Sequence, residues 1–348
     1  MIAYVLHGKR DLRAEERPDP VAGPGEVLIQ VRRMGICGSD VHYFATGHCG
    51  AFVPRRPFVL GHELAGQIVE TGSGVSGMAV GQRVAVDPSR PCRDCKTCHA
   101  GRSNLCRDMR YLGSASTDPH VDGAFSSYIA IPAENCYPLP DNVDYKEATM
   151  LEPLSVATHA VMRAGSLAGK SVLILGAGTV GQLVLLVARA MGAASIAVTD
   201  VRQEALDLAT AQGADHVSFS ERAREELIAF SPSGFDVAIE ASGAPEALRL
   251  ALELSDRGGT IVQLGTLPAE VELPAHLIMQ KELQVTGSFR FADVFSQALN
   301  LIVTSRVDVR PVISHTFGFG ELVRAFDVAL EDKTAFKIQV EIQQAHEE

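Results

Sequence analysis

The sequence has 348 residues, room for about two domains at roughly 150 residues each. Hydrophobic residues make up 46% and charged residues 21%, a balance that supports a buried core and argues against disorder. Its 31 basic and 42 acidic residues leave a net charge of −11, which argues against nucleic-acid binding by bulk electrostatics. No apolar run reaches the ~18–20 residues of a membrane span, and the longest, near Gln182–Ala188, sits inside a helical pattern. The amino terminus opens Met-Ile-Ala-Tyr-Val-Leu-His and then turns charged, without the basic start, apolar stretch and cleavage site of a signal peptide. A cytoplasmic location is the expectation. Seven cysteines in a chain of this size do not make a disulfide scaffold, and clustered ones in a reducing compartment point to metal.

Residues 1–150 are rich in Gly and Pro around short β-type runs: Val27–Val31, Ala65–Val69, Arg83–Val86 and Ser127–Ile131. After Glu152 the texture changes to alternating strands and helices. Strands are predicted at Ser171–Leu175, Ser195–Thr199, Phe235–Glu240, Thr260–Leu264 and Leu283–Thr286. Helices are predicted at Val180–Ala190, Gln203–Ala211 and Pro245–Leu254. That alternation means βαβ units and a parallel sheet. The tail carries helices over Val294–Ile302 and Glu321–Leu330, then a strand over Lys337–Ile342.

Gly176-Ala177-Gly178-Thr179-Val180-Gly181 matches G-x-G-x-x-G between a predicted strand and a predicted helix. Gly176 permits a tight turn, Gly178 lets a pyrophosphate approach the backbone, and Gly181 lets helix and strand pack closely. The helix N-terminus supplies free N–H groups and a positive dipole end. Asp200 ends the next strand, at about the 20-residue offset of an acidic residue that accepts from ribose hydroxyls. Its charge favours NAD, and Arg202 nearby leaves room for NADP.

Cys92, Cys95, Cys98 and Cys106 follow C-x2-C-x2-C-x7-C, a spacing suited to a closed, structural zinc site. Three other patches carry donors for an open site: Cys37 through His42, His62-Glu63, and Glu152. Soft, borderline and hard donors from distant segments suit a zinc that keeps one position for water or substrate.

Gly61-His62-Glu63-x2-Gly66-x5-Gly72-x2-Val75 resembles the signature of the zinc-containing medium-chain alcohol dehydrogenases, and the resemblance covers essentially the whole chain. It implies an α/β architecture: a GroES-like, β-rich catalytic domain (1–150 and 288–348, with a zinc lobe near 88–110) and a Rossmann domain with a doubly wound parallel sheet (151–287). Glu152-Pro153-Leu154-Ser155 resembles the sorbitol dehydrogenase branch, because alcohol dehydrogenases proper carry cysteine there. The implied catalytic zinc ligands are Cys37, His62 and a carboxylate, with Glu63 and Glu152 both open for the last place. Ser39 and His42 would relay the proton, and Tyr43 and Phe44 would line the pocket. Implied cofactor contacts are Val180, Arg202, Leu264, Gly265, Ser288, Phe289 and Arg290. Several stretches, among them 108–114, 119–123 and 287–291, resemble the bacterial L-idonate 5-dehydrogenases and imply oxidation of L-idonate to 5-keto-D-gluconate. An aldonate needs a cationic anchor; Arg110 is expected to hold its carboxylate and Arg290 its hydroxyls and the cofactor. A homodimer or homotetramer is expected by analogy. Alternatives are a sorbitol, xylitol or L-threonine dehydrogenase, and, from another class, a non-catalytic nicotinamide-binding protein.

Overall fold

A computed structural model describes residues 1–342. The described chain divides into two compact units: Met1–Glu152 together with residues 313–342, and Pro153–Val312.

The first unit is built on a seven-stranded sheet. Its path runs Cys136–Pro138, Arg83–Val86, Glu63–Thr71, Glu26–Ile36, Lys337–Glu341 and Ile313–Gly318, and Tyr128–Pro132 also pairs with Glu26–Ile36. Strand Glu26–Ile36 is central: it pairs with three strands, and none of its residues is exposed. Its register sets Gly35 opposite Glu63 and Ile36 opposite Ile338. Those pairings bring segments hundreds of residues apart beside Cys37. Ile29, Met34, Leu64, Ile68, Phe44, Phe125 and Phe326 form the core, each at most 2% exposed. A smaller sheet of Asp11–Glu16, Ile2–Gly8 and Phe58–Val59 flanks them, and Ser89–Arg90 pairs with Arg110–Tyr111.

The second unit is a six-stranded, wholly parallel sheet. Its order is His216–Phe219, Ser195–Asp200, Ser171–Leu175, Phe235–Glu240, Ser255–Gln263, Gln284–Gly287. The chain therefore starts in the middle, winds outward one way, and returns to wind outward the other. That reversal puts a crevice at the carboxyl ends of the first and fourth strands of the unit, where such sheets bind ligands.

Most predicted elements stand within a residue or two of their expected bounds. Among the elements not predicted are strands His216–Phe219 and Ile313–Gly318 and helices Gly38–Thr46, Leu151–Arg163 and Ala223–Phe230. The second boundary also falls later than 288. Residues 288–312 group with the dinucleotide-type sheet because the Ser288 N–H donates to the Gln263 carbonyl and helix Phe295–Val303 buries Phe295, Ala298, Leu301 and Ile302.

Candidate metal and dinucleotide sites

Cys37 caps helix Gly38–Thr46 in extended conformation (φ −90°, ψ 155°). Asp40, absent from the sequence-based set, holds the arrangement. Its Oδ2 accepts from Cys37 N–H at 3.0 Å and its Oδ1 from Gly61 N–H at 3.2 Å. Oδ1 also lies 3.6 Å from His62 Nδ1. One wholly buried carboxylate thus ties the cysteine segment to the histidine segment and orients the imidazole, as carboxylates behind metal-binding histidines do. In the sequence Asp40 shows only as an acidic residue inside the Cys37-through-His42 patch.

Glu63 opens its strand wholly buried. A Cβ at Gly35 would lie 1.9 Å from Glu63 Oε2, so the glycine makes the space the carboxylate occupies. Lys337 Nζ donates to Glu63 Oε1 at 2.6 Å and Oε2 at 2.8 Å, and to the Ile36 carbonyl at 3.1 Å. Lys337 is 3% exposed, and it too was missed.

Cys37, His62 and Glu63 each offer a ligand atom within 4.8 Å of the others, so one metal ion can be shared among them. Thiolate, imidazole and carboxylate are the donor types zinc takes, which makes this set fit an open zinc site. Burial opposes a charged His62, yet Asp40 and Cys37 hold its pKa well above the ordinary histidine value. A cation placed there would satisfy the same field.

Glu152 lies in the first turn of helix Leu151–Arg163 and stands outside the close triad. Its Oε1 accepts from the Tyr111 hydroxyl at 2.7 Å. Burial pushes its pKa up to about 7, opposed by His62 and assisted by Glu63. Tyr111 also meets the His62 ring, with centroids 5.7 Å apart, and packs with Cys106 and Met109 at the root of the cysteine lobe.

Ser39 is half-buried and His42 exposed, one turn apart on the same helix face. Tyr43 is in the core, 3% exposed, edge-on to Phe58, with its hydroxyl accepting from Ala115 N–H at 3.2 Å. Phe44 packs against Phe326, and Phe125 belongs to the same core cluster. Arg110 is corrected by the structure. It shares a two-residue strand with Tyr111, and successive strand residues face opposite ways. Tyr111 turns in to Glu152, so Arg110 turns out, into a separate cavity with Arg17 and Arg90.

The four lobe thiols, Cys92, Cys95, Cys98 and Cys106, lie within 4.8 Å of one another. Cys95 Sγ and Cys98 Sγ are 3.6 Å apart. The Thr97 hydroxyl, with the Cys98 backbone, pulls the Cys95 thiol down to about 5. Cys98 is pushed up to about 12 by burial and by its sulfur neighbours. Four crowded sulfurs cannot all ionise without a cation between them, and four of them fill a tetrahedral shell.

In the second unit, Gly176 turns at φ +98°, where a Cβ would strike Ser242 at 2.7 Å. Gly181 lets its helix approach so closely that a Cβ would lie 1.9 Å from the Gly176 carbonyl oxygen. Gly178 caps helix Thr179–Ala190, with Val180 in its first turn and open space beside the glycine. Asp200 Oδ2 accepts from Ala177 N–H at 2.7 Å and Oδ1 from Arg202 N–H at 2.9 Å, with Arg202 Nε 3.6 Å from Oδ1. Leu264 and Gly265 both donate backbone N–H to the Glu240 carbonyl. Glu240 was missed. It is wholly buried; its Oε1 accepts from Ser242 N–H, Ser242 Oγ and Gly243 N–H, each at 2.7 Å, and its Oε2 has no partner among the described residues. Ser288 Oγ is likewise buried without a partner there. Phe289 is 52% exposed, with the Arg290 guanidinium 5.1 Å from its ring centroid. Unpartnered polar atoms near the carboxyl ends of the strands, beside a glycine turn and an open helix N-terminus, fit a bound dinucleotide.

Two family descriptions match the chain: the alcohol dehydrogenase GroES-like domain over residues 23–141 and the zinc-binding dehydrogenase over residues 179–304. A sorbitol dehydrogenase of Bombyx mori is 38% identical over 98% of each chain. A probable D-xylulose reductase A of Aspergillus terreus is 40% identical over 93% of this chain and 94% of its own. Among solved structures, L-idonate 5-dehydrogenase of Escherichia coli K-12 matches with a TM-score of 0.93 at 36% identity, covering 98% of both chains. An Escherichia coli CFT073 alcohol dehydrogenase holding NADH matches at 0.91 with 29% identity over 98% of this chain and 99% of its own. A zinc-binding dehydrogenase of Sinorhizobium meliloti holding NADP matches at 0.89 with 32% identity over 98% of both. The ligand clusters, the glycine turn and full-length likeness together place this chain in the zinc-dependent medium-chain alcohol dehydrogenase family, on its polyol, or sorbitol-type, branch.

Proposed function

We propose that this polyol-type dehydrogenase oxidises a secondary alcohol of an aldonate, L-idonate, to 5-keto-D-gluconate, with NAD preferred and NADP accepted. The observation that carries the reading is the Cys37–His62–Glu63 triad backed by Glu152, in a chain so similar to an L-idonate 5-dehydrogenase. The donor set fits zinc, held by Cys37, His62 and Glu63, with a second zinc in the four-cysteine lobe. When bound, the catalytic zinc supplies Lewis acidity toward the substrate oxygen and the nicotinamide supplies the hydride acceptor.

The chain's own residues do the rest. Asp40 keeps the His62 ring and the Cys37 segment in register. Lys337 fixes Glu63, and Tyr111 fixes Glu152. Ser39 takes the hydroxyl proton and His42, exposed one turn on, passes it to water. Glycines 176, 178 and 181 and the helix start receive the pyrophosphate, and Asp200 exchanges its backbone partners for ribose hydroxyls. Arg290 contacts the cofactor and the substrate hydroxyls. Without Arg110 as carboxylate anchor, the choice of an aldonate over a polyol is supported by the likeness to L-idonate 5-dehydrogenase. The sorbitol or xylitol reading is favoured by the relatives' names and stands as the second reading. We further propose a cytoplasmic homo-oligomer, testable by sedimentation.

The deciding experiment follows NADH absorbance with L-idonate, sorbitol, xylitol and L-threonine. The highest kcat/KM on L-idonate is expected. A clear preference for sorbitol or xylitol would reject the aldonate assignment and leave the polyol class intact. No turnover of any of them in zinc-loaded protein would favour the non-catalytic alternative.

A further inference from the structure

Arg90 and Arg110 sit directly opposite each other in the two-stranded ladder Ser89–Arg90/Arg110–Tyr111. Like charges in that position repel, so a cross-strand arginine pair asks for a counter-ion. Glu26 acts on Arg90 only at a distance and makes no ion pair with it. Among the described residues, no hydrogen bond or ion pair engages either guanidinium. Both line a cavity of about 320 Å³, together with Arg17 and Asp122. Asp122 is already committed: its Oδ1 accepts from Val59 N–H at 2.8 Å and its Oδ2 faces Arg17 at 3.4 Å. His120, also in the wall, has both ring nitrogens occupied, Nδ1 at 2.8 Å from the Thr117 carbonyl and Nε2 accepting from Arg55 N–H at 2.8 Å. The two arginines therefore line the cavity with no hydrogen-bond or ion-pair partner among the described residues. Burial first, then Arg110, pull the Arg90 pKa below the arginine range, with Glu26 opposing.

We propose that this cleft binds a small multivalent oxyanion, a di- or tricarboxylate or a phosphate ester, between the Arg90 and Arg110 guanidiniums. Planar guanidinium forks are the groups that recognise carboxylate and phosphate in paired hydrogen bonds. The cavity falls within the range of about 300–1,000 Å³ usual for small-molecule sites. The site is separate from the metal triad, none of whose residues lines it. Residue 111 follows Arg110 and grips Glu152, so a ligand that fixes Arg110 also fixes the strand carrying Tyr111.

The test titrates citrate and inorganic phosphate into the zinc-loaded protein by calorimetry, with chloride at matched ionic strength as control. Saturable binding of at least one, at roughly millimolar concentration or below, is expected. Which of the two binds tighter separates the carboxylate source from the phosphate source. Arg110→Met should weaken it about tenfold or more. Arg110 is exposed, so this variant should fold; in anion-free buffer it should melt no lower than the parent, having lost a repulsion. Arg90→Met should weaken binding likewise. Heats equal to chloride, or binding unchanged in both variants, would overturn the proposal. So would dissociation of an oligomer by Arg110→Met in a parent that binds neither anion, for then the occupant is an acidic side chain of a second copy.

Discussion

Lys337→Met tests the centre of the site, because it removes one partner of a wholly buried ion pair. Lys337 is 3% exposed and Glu63 is 0% exposed, with N–O separations of 2.6 and 2.8 Å. At an effective dielectric constant of about 20, such a pair attracts by roughly 6 kcal/mol. Desolvation offsets much of that, but deleting one partner leaves the other charge buried alone, which costs about 3–5 kcal/mol. The loss should depend on metal. Glu63 is also the carboxylate of the triad, so a zinc ion at Cys37 and His62 would supply the positive charge that the lysine had supplied. Zinc-free Lys337→Met should therefore melt far below zinc-free parent, while the zinc-loaded pair should differ by much less. By the same linkage the variant should hold catalytic zinc more tightly, because no lysine competes for Glu63. The assay is thermal unfolding of both proteins with and without zinc, beside a competition titration against a chromophoric chelator. Lys337→Arg, which keeps the charge, should behave nearer to the parent. Equal destabilisation with and without zinc, and unchanged zinc affinity, would show that Lys337 is a packing residue with no bearing on the metal.

Other outcomes follow from the same geometry. Metal analysis should give close to two zinc ions per chain; His62→Ala should lose one with activity and keep the fold, while Cys95→Ser should lose the other and lower stability. An active enzyme free of zinc would refute the metal assignment. Asp200→Asn removes the charge where a 2′-phosphate would sit and keeps an acceptor for Ala177 N–H, so the KM for NADP should fall at least about tenfold. An unchanged NAD/NADP ratio would place cofactor choice elsewhere. In zinc-free protein Glu152 binds its proton more tightly folded than unfolded, with a pKa of about 7 against an ordinary value of 4.5. That contribution is complete below about pH 4.5 and is lost as pH rises through 7, by on the order of 3 kcal/mol. The melting temperature should fall across this window, and Glu152→Gln should flatten the fall; identical slopes would rule Glu152 out as its source.

What the sequence revealed was whatever local sterics or spacing enforce. The G-x-G-x-x-G turn was legible because Gly176 and Gly181 meet backbone at distances no side chain tolerates. The cysteine lobe was legible because its ligands lie on one short loop. Strands buried on both faces, such as Ser171–Leu175, announce themselves as apolar runs. His216–Phe219 did not, being a short edge strand with polar residues in it. Nor did the 288–312 boundary, which depends on which surface helix Phe295–Val303 covers.

The catalytic cluster divides along the same line. Cys37, His62 and Glu63 carry motif signals, but the groups that hold them do so across the fold: Lys337 reaches Glu63 over 274 positions and Tyr111 reaches Glu152 over 41. A buried lysine in a strand reads as a surface residue until its register is known, and here the register is set by Ile36 opposite Ile338. Arg110 failed for the converse reason. Its neighbourhood in sequence was right, since Tyr111 beside it does enter the site, but a strand of two residues gives no alternation pattern from which to tell inside from outside. One step along the backbone separates a side chain that grips Glu152 from one that faces another cavity. The candidate ligands of this site are therefore readable from the chain, while the charges set beside them are readable only from the sheet.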